Sequence, residues 1–208
     1  MLLPDIFSKH AIRPSGIIHI GAHMCQEREV YAMAGCGDDK VLWIEANPMM
    51  VQRVKETMPQ TINIHAGVIC DVTGPVEFHV SNNEQSSSIL ELGTHKREHP
   101  DVWYVDKLQL MGYSLADFVE GVLGDSLDQY DTLVMDIQGA EWHVLKGLAG
   151  RLGAFKHIYL EVNTDELYVG CGKLDTIRHL LQLHGFVMTD INMTQHKWGD
   201  AFFVRQSK

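Results

Sequence analysis

The sequence predicts a doubly wound α/β fold built on a mostly parallel sheet. Short apolar segments that end in polar residues recur along the chain, and segments with helical periodicity separate them. The first such unit comprises apolar segments at residues 16–23 and 41–47 with a helical pattern at 25–35 between them. A strand, a helix and a second strand within about thirty residues form a βαβ unit. At 208 residues the chain is long enough for one well-buried domain, which we predict to span residues 1–208.

The remaining elements follow in chain order. Asn47 is a favourable N-cap, and Pro48 stands at a favoured first helical position, so a helix begins there. Ser114 is the N-cap of a later helix, and Gly185 ends the last predicted helix. The predicted helices cover residues 1–15 (a lead-in helix), 25–35, 49–58, 114–123, 141–152 and 175–184. After the first two strands, the predicted strands cover residues 61–69, 75–80, 102–110, 133–135, 155–163, 186–191 and 201–205.

Residues 81–100 show no clear periodicity. Twenty irregular residues inside a compact domain are usually functional or disordered. We interpret this segment as a substrate-facing loop, with plain disorder as the alternative.

A nucleoside-containing cofactor is predicted from the first βαβ unit. Gly21 ends the first strand, and Glu45 ends the second, about twenty residues later, where Rossmann-type sites place the acid that binds the ribose. His23 and Cys25 stand where a phosphate-binding turn has further glycines, so a pyrophosphate would be poorly held. S-adenosylmethionine contains adenosine without phosphate and fits this pattern better. The alternative is an ordinary tight turn between strand and helix.

Three acids end three different strands. Glu45, Asp136 and Glu161 therefore meet at the carboxyl edge of the sheet, where open α/β sheets bind ligands. Converging acids are costly unless a cation, a hydroxyl or a metal balances them, and the sulfonium of S-adenosylmethionine is such a cation. The alternative for Asp136 and Glu141 is that they cap the following helix.

The composition restricts the partners. The formal net charge is -10, with 17 Lys and Arg against 27 Asp and Glu, which argues against nucleic acid. No apolar run approaches a membrane span, and the N-terminus lacks a signal-peptide pattern. The four cysteines are scattered without a C-x-x-C pair, which indicates a reduced, cytoplasmic setting.

Four motifs resemble the FkbM family of S-adenosylmethionine-dependent methyltransferases. They are Gly21-Ala-His-x-x-Gln-Glu, Trp43-Ile-Glu-Ala-Asn-Pro48, Ser86-Ser-Ser and Met135-Asp-Ile-Gln-Gly-Ala-Glu-x-x-Val-Leu-Lys-Gly147. The match runs over residues 16–163. The resemblance implies a Rossmann-like class I methyltransferase sheet of seven strands with one antiparallel strand near the C-terminus. It also implies O-methylation, often of a sugar or a sugar-bearing product. The family's D-x-G-A-N-x-G motif is altered here by His19, His23 and Cys25, and Gln138 stands where the family often has Glu.

The leading hypothesis is therefore an S-adenosylmethionine-dependent O-methyltransferase acting on a sugar or glycan hydroxyl, alone or as a domain of a larger glycan-modifying protein. The alternatives are an NAD-dependent Rossmann oxidoreductase and a non-catalytic adenosyl-binding module. A base should assist a weakly nucleophilic hydroxyl, and the candidates are Asp136, His23, Glu161 and His95. The predicted cofactor-binding residues are Gly21, Ala22, His23, Glu45, Ala46, Asn47, Val68 and Asp136. The predicted acceptor-binding residues are Ser87, Ser88, His95, Trp103 and Tyr104. Asp136, Glu161 and His143 could approach one another as metal ligands, but no ligand spacing is diagnostic, so no metal site is predicted.

Overall fold

The structure, a computed structural model, describes residues 3–206. Within them a seven-stranded sheet has the order β3-β2-β1-β7-β8-β10-β9, and a three-stranded sheet has the order β4-β6-β5. The strands are β1 (Ile17–Ile20), β2 (Val41–Glu45), β3 (Asn63–Ala66), β4 (Val68–Ile69), β5 (Gly74–Ser81), β6 (Tyr104–Tyr113), β7 (Thr132–Met135), β8 (His157–Asn163), β9 (Phe186–Met193) and β10 (Trp198–Arg205).

The large sheet is parallel except for one strand. Strands β3, β2, β1, β7 and β8 pair in parallel, whereas β10 is antiparallel to both β8 and β9. Because the short turn between β9 and β10 reverses the chain, β10 alone runs against the others. This confirms the predicted fold class, including the antiparallel strand near the C-terminus.

Helices cover both faces of the large sheet, as the alternation of buried side chains along its strands requires. On one face Ile18 and Leu133 pack with residues of α5 and α6, and on the other Ile17 and Trp43 pack with residues of α1, α2 and α3. The helices are α1 (Leu3–Lys9), α2 (Arg28–Met33), α3 (Pro48–Thr57), α4 (His95–Glu98), α5 (Glu141–Gly147) and α6 (Leu174–Leu183). No helix among residues 3–206 has the length and apolarity needed to cross a membrane.

The prediction of one continuous strand over residues 61–69 is wrong, because the segment forms two strands, β3 and β4, in different sheets. The chain leaves the large sheet at Gly67, whose amide donates to the Glu45 carbonyl at 3.0 Å, and β4 then joins the small sheet. A Cβ at Gly67 would lie 2.5 Å from the Phe118 ring, so only glycine fits this crossing point.

Four predicted helices have different bounds. The pattern over 25–35 yields α2 only from Arg28, because His23 and Cys25 have positive φ (44° and 53°), outside the helical region. The helix expected over 141–152 ends at Gly147, and a separate 3-10 turn, Leu152–Ala154, follows. Residues Asp117–Val122, inside the predicted 114–123 helix, wind as a π-helix. The lead-in helix expected over 1–15 spans Leu3–Lys9, and residues 1 and 2 lie outside those described.

Candidate active site

A cavity of about 460 Å³ opens at the carboxyl edge of the large sheet, within the size range of small-molecule sites. It extends from the ends of β1 and β2, past β7 and β8, to the beginning of β10. Most of the residues predicted from sequence line it, namely Gly21, His23, Glu45, Ala46, Asn47, Val68, Ser87, Ser88, His95, Asp136 and Glu161.

Three predicted residues do not line this cavity. Ala22 is buried in the core beneath the turn. Trp103 is 56% exposed, and Tyr104 stacks on His79 with ring centroids 4.7 Å apart while its hydroxyl donates to the Leu90 carbonyl. The positions of Trp103 and Tyr104 therefore do not support the predicted role in acceptor binding. The sequence shows that aromatic residues follow the loop, but it does not show which side of the loop they face.

The turn after β1 is built on Gly21. Its φ is +86°, and a Cβ there would lie 2.0 Å from the carbonyl oxygen of Asp136. The amides of Gly21 and Ala22 both donate to the Ile44 carbonyl, at 2.9 and 3.1 Å. Only glycine allows β1 and β7 to approach so closely at the edge of the cavity.

The carboxylate of Glu45 joins two turns. One oxygen accepts a hydrogen bond from the His23 amide at 2.8 Å, and the other accepts one from the Asn47 amide at 2.8 Å. Burial raises the pKa of Glu45, and these two backbone donors act in the opposite direction. Since a carboxylate has about four acceptor positions, Glu45 can still accept a hydrogen bond from a ligand hydroxyl.

Gln138 holds the two other strand-end acids. Its side-chain nitrogen donates to Asp136 at 2.7 Å and to Glu161 at 3.3 Å. Its side-chain oxygen accepts from the Tyr168 hydroxyl at 2.7 Å, and its backbone, at a φ of +56°, offers its carbonyl to the Ser88 hydroxyl at 2.8 Å. Because the amide donates to two carboxylates at once, it separates charges that would otherwise face each other directly.

Burial and mutual repulsion perturb these acids. Burial raises the pKa of Asp136, and the bond from Gln138 opposes this shift. The pKa of Glu161 rises well above its usual range through burial and the neighbouring charges of Asp136 and Glu141. Burial raises the pKa of Glu141 to about 8, so this side chain carries a proton at neutral pH. Glu141 begins α5, and its carboxyl accepts from the Ile137 amide at 2.9 Å, which supports the turn between strand and helix. Because the side chain carries a proton, it lacks the negative charge at the helix N-terminus on which the capping alternative depends.

The segment 81–100 forms one side of the cavity, and its serines maintain its shape. The Ser87 hydroxyl donates to the Glu84 carbonyl and accepts from the Ser81 amide. The Ser88 hydroxyl accepts from the Leu90 amide while it donates to Gln138. Both hydroxyls are thus engaged within the protein, which differs from their predicted use in binding the acceptor.

The histidines at the cavity differ in environment. His95 is 5% exposed, and burial, with His99 nearby, lowers its pKa to about 4, so its ring is neutral at pH 7. His23 lies at the cavity edge, and its ring nitrogen Nδ1 lies 2.7 Å from the Gln26 amide nitrogen. His19, which stands where the family motif has an acid, is buried, hydrogen-bonded to the Tyr31 hydroxyl at 2.7 Å, and has a pKa lowered to about 3 by burial.

Several lining residues were not predicted from the sequence, chiefly Gln138 as a hydrogen-bonding centre, Tyr168, Trp198 and Asp200. Trp198 and Asp200 come from β10, which is antiparallel, so the beginning of β10 lies beside the end of β8. Prediction from the carboxyl ends of strands alone leaves these two residues out. The predicted antiparallel strand indicates, however, that the beginning of one strand lies at the same edge. His143, a candidate metal ligand in the sequence, does not line the cavity, and its ring nitrogen Nδ1 lies 3.5 Å from an Asp71 carboxylate oxygen.

The cavity suits the predicted cofactor. Glu45 can accept hydrogen bonds from a ribose diol, and Gly21 lines the cavity at the turn after β1. Met50, Val68 and Ile69 add apolar lining next to this turn, as a base ring requires. Acids at the cavity balance a sulfonium cation.

Comparison with known proteins gives a consistent result. Residues 19–188 match the model of the methyltransferase FkbM domain. The 2-O-methyltransferase NoeI of Sinorhizobium fredii (strain NBRC 101917 / NGR234) is 29% identical over 146 residues, and the match covers 66% of this chain and 59% of that protein. The chain therefore spans less than two thirds of this relative's length.

Solved structures share the fold at low sequence identity. The ribosomal protein L11 methylase from Lactobacillus delbrueckii subsp. bulgaricus has a TM-score of 0.52 and 11% identity, covering 99% of this chain and 77% of its own. A protein of the NADB-Rossmann superfamily from Streptococcus agalactiae has a TM-score of 0.53 and 11% identity, covering 99% and 68%. The family match extends over most of the sheet and includes Glu45, Asp136 and Glu161. The chain belongs to the FkbM methyltransferase family, and its cofactor is S-adenosylmethionine.

Proposed function

We propose that this methyltransferase transfers a methyl group to a hydroxyl oxygen of a sugar or glycan, and that Asp136 accepts the hydroxyl proton. The position of Asp136 carries the proposal. It follows β7, which lies between β1, with the Gly21 turn, and β8, with Glu161. An acceptor that enters beside β8 would therefore meet Asp136 next to the cofactor turn.

The surroundings of Asp136 suit a base. S-adenosylmethionine, when bound, supplies an electrophilic methyl group and a sulfur leaving group. Gln138 fixes one oxygen of the Asp136 carboxylate through a 2.7 Å hydrogen bond. Burial raises the pKa of Asp136, which makes its ionised form a stronger base than a surface aspartate.

The charge of the lining supports a neutral, hydroxyl-bearing acceptor. Among the described residues that line the cavity there is no lysine or arginine. The lining acids are Glu27, Glu45, Glu84, Asp136, Glu161 and Asp200. Phosphate or sulfate groups would be repelled here, whereas sugar hydroxyls can donate hydrogen bonds to carboxylates. The relative from Sinorhizobium fredii is a 2-O-methyltransferase, which supports transfer to oxygen.

Labelled-methyl transfer from S-adenosylmethionine to free sugars, methyl glycosides and short glycans tests the proposal. The panel also contains non-sugar alcohols and amines. We expect label in neutral sugars. Transfer only to the other compounds would refute the acceptor class, and cofactor binding without transfer to any of them would favour a non-catalytic adenosyl-binding module. The family membership disfavours the NAD-dependent oxidoreductase.

Asp136→Asn tests the base. It keeps the shape of the side chain, and we expect turnover to fall at least about a hundredfold while cofactor affinity stays within a few-fold. Asp128→Asn, on a side chain that is 79% exposed, is the matched control and should leave turnover unchanged. Normal turnover in the Asp136 variant would transfer the role to His95, Glu161 or His23. Lost cofactor binding would make Asp136 a cofactor ligand.

We also propose that the chain is one domain and acts in the cytoplasm. Its four cysteines, Cys25, Cys36, Cys70 and Cys171, are free and buried, which supports a reducing compartment.

A further inference from the structure

We infer that Trp198 is the platform on which the acceptor stacks, and that the acceptor is an uncharged pyranose whose hydroxyls are bound by Asp200 and Glu161. This inference rests on the proposed function and names the substrate class of the same cavity. The sequence suggested Trp103 and Tyr104 for this role, but neither lines the cavity, whereas Trp198 does.

The register of β10 places these groups together. Trp198 lies opposite Asn163, and Asp200 lies opposite Glu161. Side chains two residues apart on a strand share a face, so Trp198 and Asp200 project to the same side as Glu161. Directly opposed residues of an antiparallel pair have Cβ atoms about 4.5–5.5 Å apart, so the two carboxyl groups are neighbours.

The strand order separates this group from the cofactor turn. Gly21 and Glu45 are at the ends of β1 and β2, and Trp198 is three strands beyond β1 in the order β1-β7-β8-β10. Three spacings of about 4.8 Å amount to roughly 14 Å. Asp136, at the end of β7, lies between the two ends of the cavity, as a base between donor and acceptor should.

The indole of Trp198 has the properties of a sugar-binding surface. It is partly buried and packs against a cluster that includes Leu167 and Tyr168, which supports one side of the ring. The face of an indole carries partial negative charge and attracts the weakly positive C–H bonds on one face of a pyranose. Stacking leaves the hydroxyls at the ring edge free to reach carboxylates.

The same acids select against charged sugars. Asp200 and Glu161 are 9% and 6% exposed, and no lysine or arginine is among the described lining residues. Negative charges in this buried group already repel one another, as the raised pKa of Glu161 shows, and the carboxylate of a uronic acid would add to that repulsion. A neutral pyranoside avoids this penalty.

Two measurements on the full chain test the inference. Saturation-transfer NMR in the presence of S-adenosylhomocysteine reports sugar binding without turnover, and labelled-methyl transfer gives KM and kcat. The probes are methyl α- and β-glycosides of the common neutral hexoses and 6-deoxyhexoses, with methyl glucuronide as the charged counterpart of methyl glucoside. Trp198→Ala and Trp198→Phe are compared with Trp103→Ala, a tryptophan that is 56% exposed and outside the cavity.

For at least one neutral glycoside, we expect Trp198→Ala to raise KM at least about tenfold, as loss of a buried tryptophan contact does, and to change kcat less than threefold or so. Affinity for S-adenosylhomocysteine should stay within about twofold, which shows that the cofactor end is intact. Trp198→Phe, which retains a ring, should recover most of the loss, and Trp103→Ala should behave as the wild type. The glucuronide should bind at least about tenfold more weakly than the glucoside wherever the latter binds.

The outcomes separate this inference from the proposed function. If neutral glycosides are methylated and KM is unchanged in Trp198→Ala, the platform is refuted and the proposed function stands. If glycosides bind through Trp198 without being methylated, the platform stands and the proposed reaction is refuted. No binding and no transfer for any neutral glycoside overturns both, and equal binding of glucoside and glucuronide overturns the selection against charge.

Discussion

Replacement of Glu45 by glutamine tests the cofactor end of the cavity with little change in shape. In the native protein both carboxylate oxygens accept backbone amides, from His23 and Asn47, each at 2.8 Å. The amide group of glutamine can accept through its oxygen only, so one of these two amides loses its partner. The negative charge that strengthens bonds to the ribose hydroxyls is lost as well.

The magnitude follows from these bonds. A hydrogen bond to a charged group contributes about 1.5–3 kcal/mol, so affinity for S-adenosylmethionine should fall roughly ten- to a hundredfold. Loss of one backbone bond, about 1.5 kcal/mol, should lower Tm by about 3–6 °C in a domain of this size. Glu45→Ala leaves the amides of both His23 and Asn47 without the carboxylate and should lower Tm further.

Isothermal titration calorimetry with S-adenosylhomocysteine and a thermal unfolding scan measure both effects. Glu84→Gln is the matched control, because Glu84 also lines the cavity but its carboxylate pairs with Arg53 at 2.9 Å. We expect the control to bind the cofactor within about threefold of the wild type. A folded Glu45→Gln variant with unchanged affinity would show that Glu45 only joins the two turns and does not bind ribose.

Two further predictions concern the turn after β1 and the acid that begins α5. Gly21→Ala brings a Cβ to 2.0 Å from the Asp136 carbonyl oxygen and should abolish measurable cofactor binding. The control Gly35→Ala has a similar φ of +88° and open space around the new Cβ, so it should lower the free energy of unfolding only by the local strain of about 1–2 kcal/mol. Equal losses of stability in calorimetric scans of the two variants would contradict the clash. The pKa of Glu141 is raised to about 8 in the folded protein, so the folded state favours the protonated carboxyl. Its contribution to the free energy of unfolding should therefore be complete below about pH 4.5 and decline as the pH rises to 8, by up to about 1.4 kcal/mol per pH unit. Glu141→Gln can still accept the Ile137 amide and should show a flatter dependence in urea unfolding between pH 5 and 8, while parallel curves for variant and wild type would show that the carboxyl is not buried in its neutral form.

Much of the site could be predicted because a few positions define it locally. In a parallel sheet, strand ends meet at one edge, so Gly21, Glu45 and Asp136 could be assigned to one cavity from their places at the ends of apolar segments. The acids at these ends also indicated a positively charged or hydroxyl-bearing ligand. All three line the cavity in the structure.

The acceptor end could not be predicted in the same way. Trp103 and Trp198 look equally suitable in the sequence, and only the pairing of β10 with β8 brings Trp198 to the cavity. Ser87 and Ser88 look available in the sequence, yet the folded loop uses both hydroxyls. Such outcomes depend on contacts between residues far apart in the chain, which no local pattern encodes.

By itself, the sequence determined most of the strands and helices, the mostly parallel sheet and the acids at its edge, because apolar periodicity, glycine turns and helix caps act over a few residues. The short helix α4 inside the predicted loop 81–100 and the separate small sheet were not predicted. Tertiary structure alone decided the break at Gly67, where the Phe118 ring excludes any side chain. It also decided the role of Gln138, whose amide nitrogen reaches both Asp136 and Glu161. Glu161 comes from a different strand, 23 residues further along the chain. The close packing of side chains from separate strands settles which polar groups meet, and the acceptor end of the cavity depends on that packing.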